Sequence, residues 1–191
     1  MSQSTTPACG PAPLEATYTD INTGIAAIQA HAQANGYAFR QRDKQHSRIV
    51  FVCDREGKYN HRGKNPNIHK SRQRHNTGTK KCGCLMKVAF RLDPISLIWS
   101  LEVVHPTHNH LASAAPTAHS VHRQASLDEQ AHAQIIVLAR TGVSVAQILI
   151  AIRKQNPKVI ITQKDVSNIL QKARLIELDG KSPIEWLMAV C

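Results

Sequence analysis

Apolar residues recur along the first third of the chain at two periods, and the change of period marks a change of element. Ile21, Ile25, Ile28 and Ala32 are three or four residues apart, the spacing of one helical face, and Asn35-Gly36 supplies a left-handed stop. This predicts a helix over about 20–34. From Tyr37 the period falls to two: Tyr37 and Phe39 alternate with Arg40, Arg42 and Lys44, and Ile49, Phe51 and Cys53 share one face of a second strand. Cys84, Met86, Val88, Phe90 and Leu92 line one face of a third strand. Asp93-Pro94 makes a turn, and Leu97, Trp99, Leu101 and Val103 line the return strand. The polar, basic segment 60–81 lacks periodicity and reads as a mobile loop.

A stretch rich in Ala, Ser, Thr, Pro and His runs from His105 to Gln124 and predicts a linker. Beyond it the period returns to helical, with four starts of one kind: Ser126-x-x-Glu129, Ser144-x-x-Gln147, Thr162-x-x-Asp165 and Ser182-Pro183-x-Glu185. Val166, Ile169, Leu170 and Ala173 form an apolar stripe on the third of these helices. The expected fold class is α+β: a small antiparallel metal-stabilised sheet with an N-terminal helix, followed by a helical segment able to include a helix-turn-helix. The expected divisions are a disordered tail at 1–17, a finger domain at 18–111, a linker at 112–125 and helices at 126–191.

Charge sharpens this outline. The chain has 191 residues and a net charge of +11, and 15 of its 24 Lys and Arg fall between Arg40 and Arg91, against three of its 13 acids. The basic excess therefore belongs to the sheet region and its loop, which favours a polyanionic partner. Lys154, Lys158, Lys164, Lys172 and Arg174 in the helical segment are scattered. Five cysteines, an odd number, and no apolar N-terminal run argue against a secreted disulfide framework and for reduced thiols in the cytosol or nucleus. No apolar run approaches the roughly 18 residues of a membrane span.

Candidate chemistry lies where the strands end. His108-Asn109-His110, with Cys53 and Cys84 upstream, offers thiolate and imidazole in the combination that a closed structural zinc site takes. In an extended segment residues i and i+2 point to one side, so His108 and His110 can reach one ion while Asn109 points away. The same rule leaves Cys82 open as a ligand in place of Cys53, because it stands two residues before Cys84. Cys9 reads as a bystander, and His105, His119 and His122 as solvated side chains. The 30 residues between Cys53 and Cys84, and a His-x-His ending, exclude a ββα finger. The contiguous His108-Asn109-His110 run also does not match the dispersed residues of an HNH nuclease.

Val52-Cys53-Asp54-Arg55-Glu56-Gly57, a basic loop, Cys84 opening an apolar strand, Trp99 and His108-Asn109-His110-Leu111 together resemble the FAR-RED IMPAIRED type DNA-binding domain of the WRKY/GCM zinc-finger superfamily. In that family the ligands run Cys, Cys, His-x-His, and the 23 residues between Cys84 and His108 suit the WRKY spacing. The WRKY heptapeptide is absent, so no base preference carries over. Asn156-Pro157, Asp165-Val166-Ser167-Asn168 and Asp179-Gly180-Lys181-Ser182-Pro183-Ile184-Glu185 resemble the helical segment after this finger in fungal Mutator-like transposases. The resemblance spans Tyr18 to the C-terminus. It implies one structural zinc per chain held by Cys53, Cys84, His108 and His110, and sequence-specific binding of double-stranded DNA in the nucleus.

It also implies a groove-reading strand at Arg40, Arg42 and Lys44. Arg48, Arg55 and Lys58, with the loop residues Arg62, Lys64, Lys70, Arg72 and Arg74, are the remaining candidate DNA contacts, the loop group serving phosphates. The RNase-H-like catalytic domain of those transposases finds no room before Cys191, so the expectation is a non-enzymatic DNA binder without small-molecule substrate. An RNA-binding or protein-interaction module using the basic loop is the alternative.

Overall fold

The computed structural model describes residues 8–58, 69, 72, 79–115 and 118–190. The chain divides into two units, residues 1–116 and 117–191. Five antiparallel strands, β1 (Thr17–Tyr18), β2 (Phe39–Lys44), β3 (Arg48–Cys53), β4 (Lys87–Leu92) and β5 (Trp99–His105), form the first unit's sheet in the order β1-β5-β4-β3-β2. The helix α1 (Ile21–Ala34) covers one face. The fold class is α+β, as the change of period predicts.

Alternation along the strands decides what each face buries. Ile49, Phe51, Cys53, Val88, Phe90 and Leu101 form a core with Ile28 and Ala32 of α1, and Tyr37 and Phe39 complete it. Asp20 caps α1, accepting from the Thr23 N–H at 2.8 Å. Gly24 lets the helix approach, because a Cβ there would lie 2.8 Å from the Phe90 ring; a mid-helix glycine costs about 1 kcal/mol relative to alanine, and this contact is its physical reason. The Gln29 side chain donates to the Phe39 carbonyl at 2.8 Å and accepts from its N–H at 3.2 Å, fixing the start of β2 on α1.

Residues 8–17 depart from the expected disordered tail; residues 1–7 lie outside the described residues. Ala8 bridges Leu111, the Gly10 N–H donates to the Asn35 carbonyl at 3.2 Å, and the Tyr37 hydroxyl donates to the Pro11 carbonyl at 3.1 Å. Cys9 and Ala12 pack on the core, and β1 adds a strand that two residues of sequence are too short to announce.

The basic face expected on β2 is also rearranged. Register pairs Arg40 with Val52, then shifts between Gln41 and Asp43, so Arg42 is the extra residue of a β-bulge. Beyond it Lys44 stands opposite Ile49, and cross-strand partners share a face. Lys44 is thereby turned to the opposite side of the sheet from Arg40.

The second unit contains α2 (Ser120–Ala125), α3 (Glu129–Arg140), α4 (Val145–Gln155), α5 (Gln163–Leu178) and α6 (Pro183–Val190). Ile135, Ile148, Ile152, Val159, Ile161 and Val166 are its most buried apolar residues. Capping boxes close at Ser144/Gln147 and Thr162/Asp165, and the Ser182 and Glu185 side chains exchange the same pair of bonds with each other's N–H groups. At the first start Asp128 displaces Ser126 as the cap of α3. Ser126 instead donates to the Arg123 carbonyl at 2.6 Å and accepts from the Ile160 N–H at 3.2 Å. The expected linker contains α2, whose His122, with the preceding His119, is buried rather than solvated.

Asp165 ties α2 to α5. Its carboxylate accepts from Arg123 Nε at 2.7 Å and Nη2 at 3.1 Å, and from the Thr162 hydroxyl and N–H at 2.7 and 2.9 Å. Burial alone would push this carboxyl up, but the Arg123 guanidinium and the Thr162 donors more than offset it and hold it at about 2. With the folded value below the ordinary 3.8, the contribution is complete above that pH and is lost as pH falls through about 2. The difference corresponds to about 2 kcal/mol. We expect hydrogen-exchange protection in α2 and α5 to weaken over this window. Asp165→Asn is expected to remove that pH dependence and destabilise the unit by about 3–5 kcal/mol, because it takes away the carboxylate that faces the largely buried Arg123 guanidinium.

Candidate metal centre

Three segments meet at one end of the sheet. Cys53 closes β3, its N–H donating to the Met86 carbonyl at 3.1 Å. That bond sets the register in which Cys84 and Met86, two residues apart and both buried, reach the core side by side. The chain turns at Asp54-Arg55 and is clasped from the other side, with the N–H groups of Cys82 and Gly83 donating to the carbonyls of Arg55 and Gly57, each at 3.0 Å. His108 and His110 arrive from the segment after β5, and the His108 ring packs against that of Tyr37, with centroids 4.3 Å apart and planes inclined at 51°.

The potential ligand atoms of Cys53, Cys84, His108 and His110 all lie within 4.8 Å of one another. Cys53 Sγ is 3.2 Å from His110 Nε2, Cys84 Sγ is 3.4 Å from His108 Nδ1, and the two ring nitrogens are 3.3 Å apart. A tetrahedral ion with metal–sulfur bonds of about 2.3 Å and metal–nitrogen bonds of about 2.05 Å would separate sulfur from nitrogen by about 3.6 Å and nitrogen from nitrogen by about 3.3 Å. The donor set therefore fits a four-coordinate metal ion with only small adjustments.

The outer nitrogens support this arrangement. His110 Nδ1 lies 2.9 Å from the Leu111 carbonyl, so its N–H donates there and Nε2 is left with a lone pair for the metal, the usual way a ligating ring is oriented. His108 presents Nδ1 to the cluster, while its Nε2 is buried among the described residues without a hydrogen-bond partner. Burial, then the neighbouring His110, push His108 down to about 4, so it is neutral and metal-competent at pH 7. Burial pushes the Cys53 thiol up, with Cys84 adding to the effect against the Arg55 N–H. A metal must displace that proton, so binding weakens as pH falls.

Cys82 stands outside the four. Gly83 has φ +71, so the chain is not extended through Cys82-Gly83-Cys84 and the two thiols do not share a side. Cys82 is exposed and exchanges bonds with Asn109, thiol to Oδ1 at 3.3 Å and Nδ2 to the Cys82 carbonyl at 3.0 Å. Cys9, expected as a bystander, places its sulfur 3.4 Å from His110 Nδ1, the ring nitrogen facing away from the cluster. Nothing in the sequence separated by 101 positions signals that contact.

The basic candidates divide. Arg40 forms an ion pair with Glu56, and Arg42 donates to the other oxygen of the same carboxylate at 2.7 Å. Glu56 is thus a partner that charge counting does not reveal. Arg55 is half-buried and donates to the Ser113 hydroxyl at 2.9 Å. Arg48 is half-buried, whereas Lys44, Lys58 and Arg72 are exposed. Arg62, Lys64, Lys70 and Arg74 lie outside the described residues. No helix among the described residues is long and apolar enough to cross a membrane.

No family model matches the chain, and no solved structure matches it. The chain is 29% identical over 172 residues to part of the PKS-NRPS hybrid synthetase cheA of Chaetomium globosum, an alignment that covers 81% of this chain and 3% of the synthetase. The chain spans only that small share of its relative's length. This similarity corrects the expectation of a non-enzymatic protein, since the related stretch is part of an enzyme.

The four-residue site makes a sharp distinction between neighbouring cysteines. We expect the full chain to bind one cobalt ion with thiolate charge-transfer absorption. Cys84→Ser or Cys53→Ser should weaken binding by at least tenfold, and Cys82→Ser should leave the spectrum intact. Loss of the band in Cys82→Ser alone would move the site.

Proposed function

We propose that the N-terminal unit binds one structural zinc ion through Cys53, Cys84, His108 and His110 and uses β2 to bind double-stranded DNA with sequence preference in the nucleus. The observation that carries the reading is the position of β2. It is the edge strand of the sheet, begins beside Cys53, and exposes Arg40 and Arg42 in a region of basic excess. An edge ribbon of this kind fits the major groove, where guanidinium groups read guanine edges bidentately. Zinc suits the donor set of two thiols and two imidazoles, and a closed four-ligand site leaves the metal a structural role.

The likeness to the FAR-RED IMPAIRED type domain, found at the N-terminus of Mutator-like transposases, supports the same reading. The similarity to a short part of a synthetase supports a module carried within the chain of a larger enzyme.

Glu56 adds a term to the mechanism. It holds both guanidinium groups in the free protein, so base contact requires them to exchange a carboxylate for a base edge. Selection of duplexes from a random pool by the zinc-loaded protein tests the proposal. Arg40→Ala or Arg42→Ala is expected to cost about 1–3 kcal/mol on the selected site and to relax base preference there. Glu56→Gln should tighten both duplexes, the scrambled one more than the selected one. Equal weakening of both duplexes by the arginine variants would make β2 a phosphate contact only. Preference for single-stranded or duplex RNA over DNA would replace the partner.

A further inference from the structure

The sheet face opposite α1 carries a juxtaposition that the free protein leaves uncompensated. Residues 49, 51 and 53 of β3 point into the core under α1, so Arg48, Val50 and Val52 point to the other face. On β4 the same alternation puts Ala89 and Arg91 on that face. Register places Arg48 directly opposite Arg91.

The ladder shows how close they are. The Leu92 N–H donates to the Ser47 carbonyl at 2.9 Å and the Cys53 N–H to the Met86 carbonyl at 3.1 Å, so the hydrogen-bonded pairs fall at the odd positions of β3. Arg48 and Arg91 are therefore a non-hydrogen-bonded pair, the type with Cα atoms only about 4.5 Å apart and the closest side chains.

Like charges at such a position destabilise a sheet unless something sits between them. Glu102, diagonal to Arg91, accepts from its Nε at 2.6 Å and compensates that guanidinium in part. Arg48 has no such partner. Its Nε is buried without a hydrogen-bond acceptor, and its guanidinium forms no ion pair among the described residues. Asp43, opposite Val50 on this face, is the nearest acid along β2, and no bond joins it to Arg48. A buried donor group with nothing to donate to is a seat for an acceptor, and two adjacent guanidinium groups favour a planar or tetrahedral oxyanion.

We propose that Arg48 and Arg91 together seat one phosphodiester of the duplex backbone, positioning the sheet while β2 reads bases. This rests on the DNA-binding reading above and assigns Arg91 a role that sequence analysis does not give it. The seat is sequence-independent, and because two arginines serve one phosphate their effects overlap.

Salt dependence of duplex binding by the full zinc-loaded chain reads this directly. Each phosphate neutralised contributes about 0.9 to the slope of log affinity against log salt. Arg48→Gln and Arg91→Gln are each expected to reduce the slope measurably and by no more than about 0.9, and the double variant by about 0.9 and no more, on selected and scrambled duplexes alike. An unchanged slope in both single variants overturns the seat while duplex binding stands. A reduction of about 1.8 in the double variant overturns the shared phosphate in favour of two separate contacts. Arg91 is exposed, so Arg91→Gln keeps the test valid where Arg48→Gln fails to fold.

Inorganic phosphate supplies the second arm. At equal ionic strength it should raise the melting temperature of the wild type above its value in chloride by more than it raises that of Arg48→Gln, whose rise measures the general effect of a kosmotropic anion. Phosphate stabilisation without any duplex binding would overturn the phosphodiester and the DNA reading together, leaving a site for free phosphate.

Discussion

Two thiols and two imidazoles from three separate segments must meet within 4.8 Å at one end of the sheet, and most of the N-terminal unit is arranged to bring this about. The intervening stretches of 30 and 23 residues each cost about 3 kcal/mol in closure entropy if left to chance. Strand pairing bears part of that cost: β3 and β4 fix Cys53 and Cys84 on one face, and the Tyr37 ring packs against the His108 ring. What pairing does not offset is the burial of titratable groups. A bound metal converts this liability into cohesion, since structural zinc sites contribute about 10 kcal/mol or more, comparable to the entire stability of a small domain.

The second unit meets a similar problem with an ion pair. Asp165 is at once the third residue of the α5 capping box and the carboxylate that neutralises Arg123, so one side chain satisfies a helix start and joins α2 to α5. Such a pair is weak as a source of net stability compared with apolar packing, because both charges lose water. Its effect lies in specificity. With four of its contacts made to defined donors, the carboxylate admits few alternative placements of α2.

Periodicity made most of the fold legible. The shift from helical to alternating spacing at Tyr37 located α1 and β2, and His-x-His with two upstream cysteines located the four residues that lie close enough to hold a metal ion. What escaped was decided by single residues that pattern cannot weigh. A bulge at Arg42 inverted the facing of Lys44. A positive φ at Gly83 separated Cys82 from Cys84, although alternation alone put them on one side. The packing of residues 8–17 depends on hydrogen bonds to Asn35, Tyr37 and Leu101, contacts from a segment whose composition reads as disordered. Asp128 prevailed over Ser126 at α3 because Ser126 was held elsewhere, by Arg123 and Ile160.

The outer face of the sheet shows why counting charges gives only the sign of a surface. Arg40 and Arg42 are answered by Glu56, and Arg91 by Glu102, so the basic excess is locally neutralised where acids lie on the same face. Arg48 differs from these, because its cross-strand partner is another arginine and its buried Nε has no acceptor among the described residues. These environments differ in what a polyanion gains by approaching. At Glu56 it must compete with an existing ion pair, which favours contacts good enough to replace a carboxylate and so favours discrimination between bases. At Arg48 it relieves an unmet donor and a like-charge repulsion whatever the base, which favours affinity without discrimination.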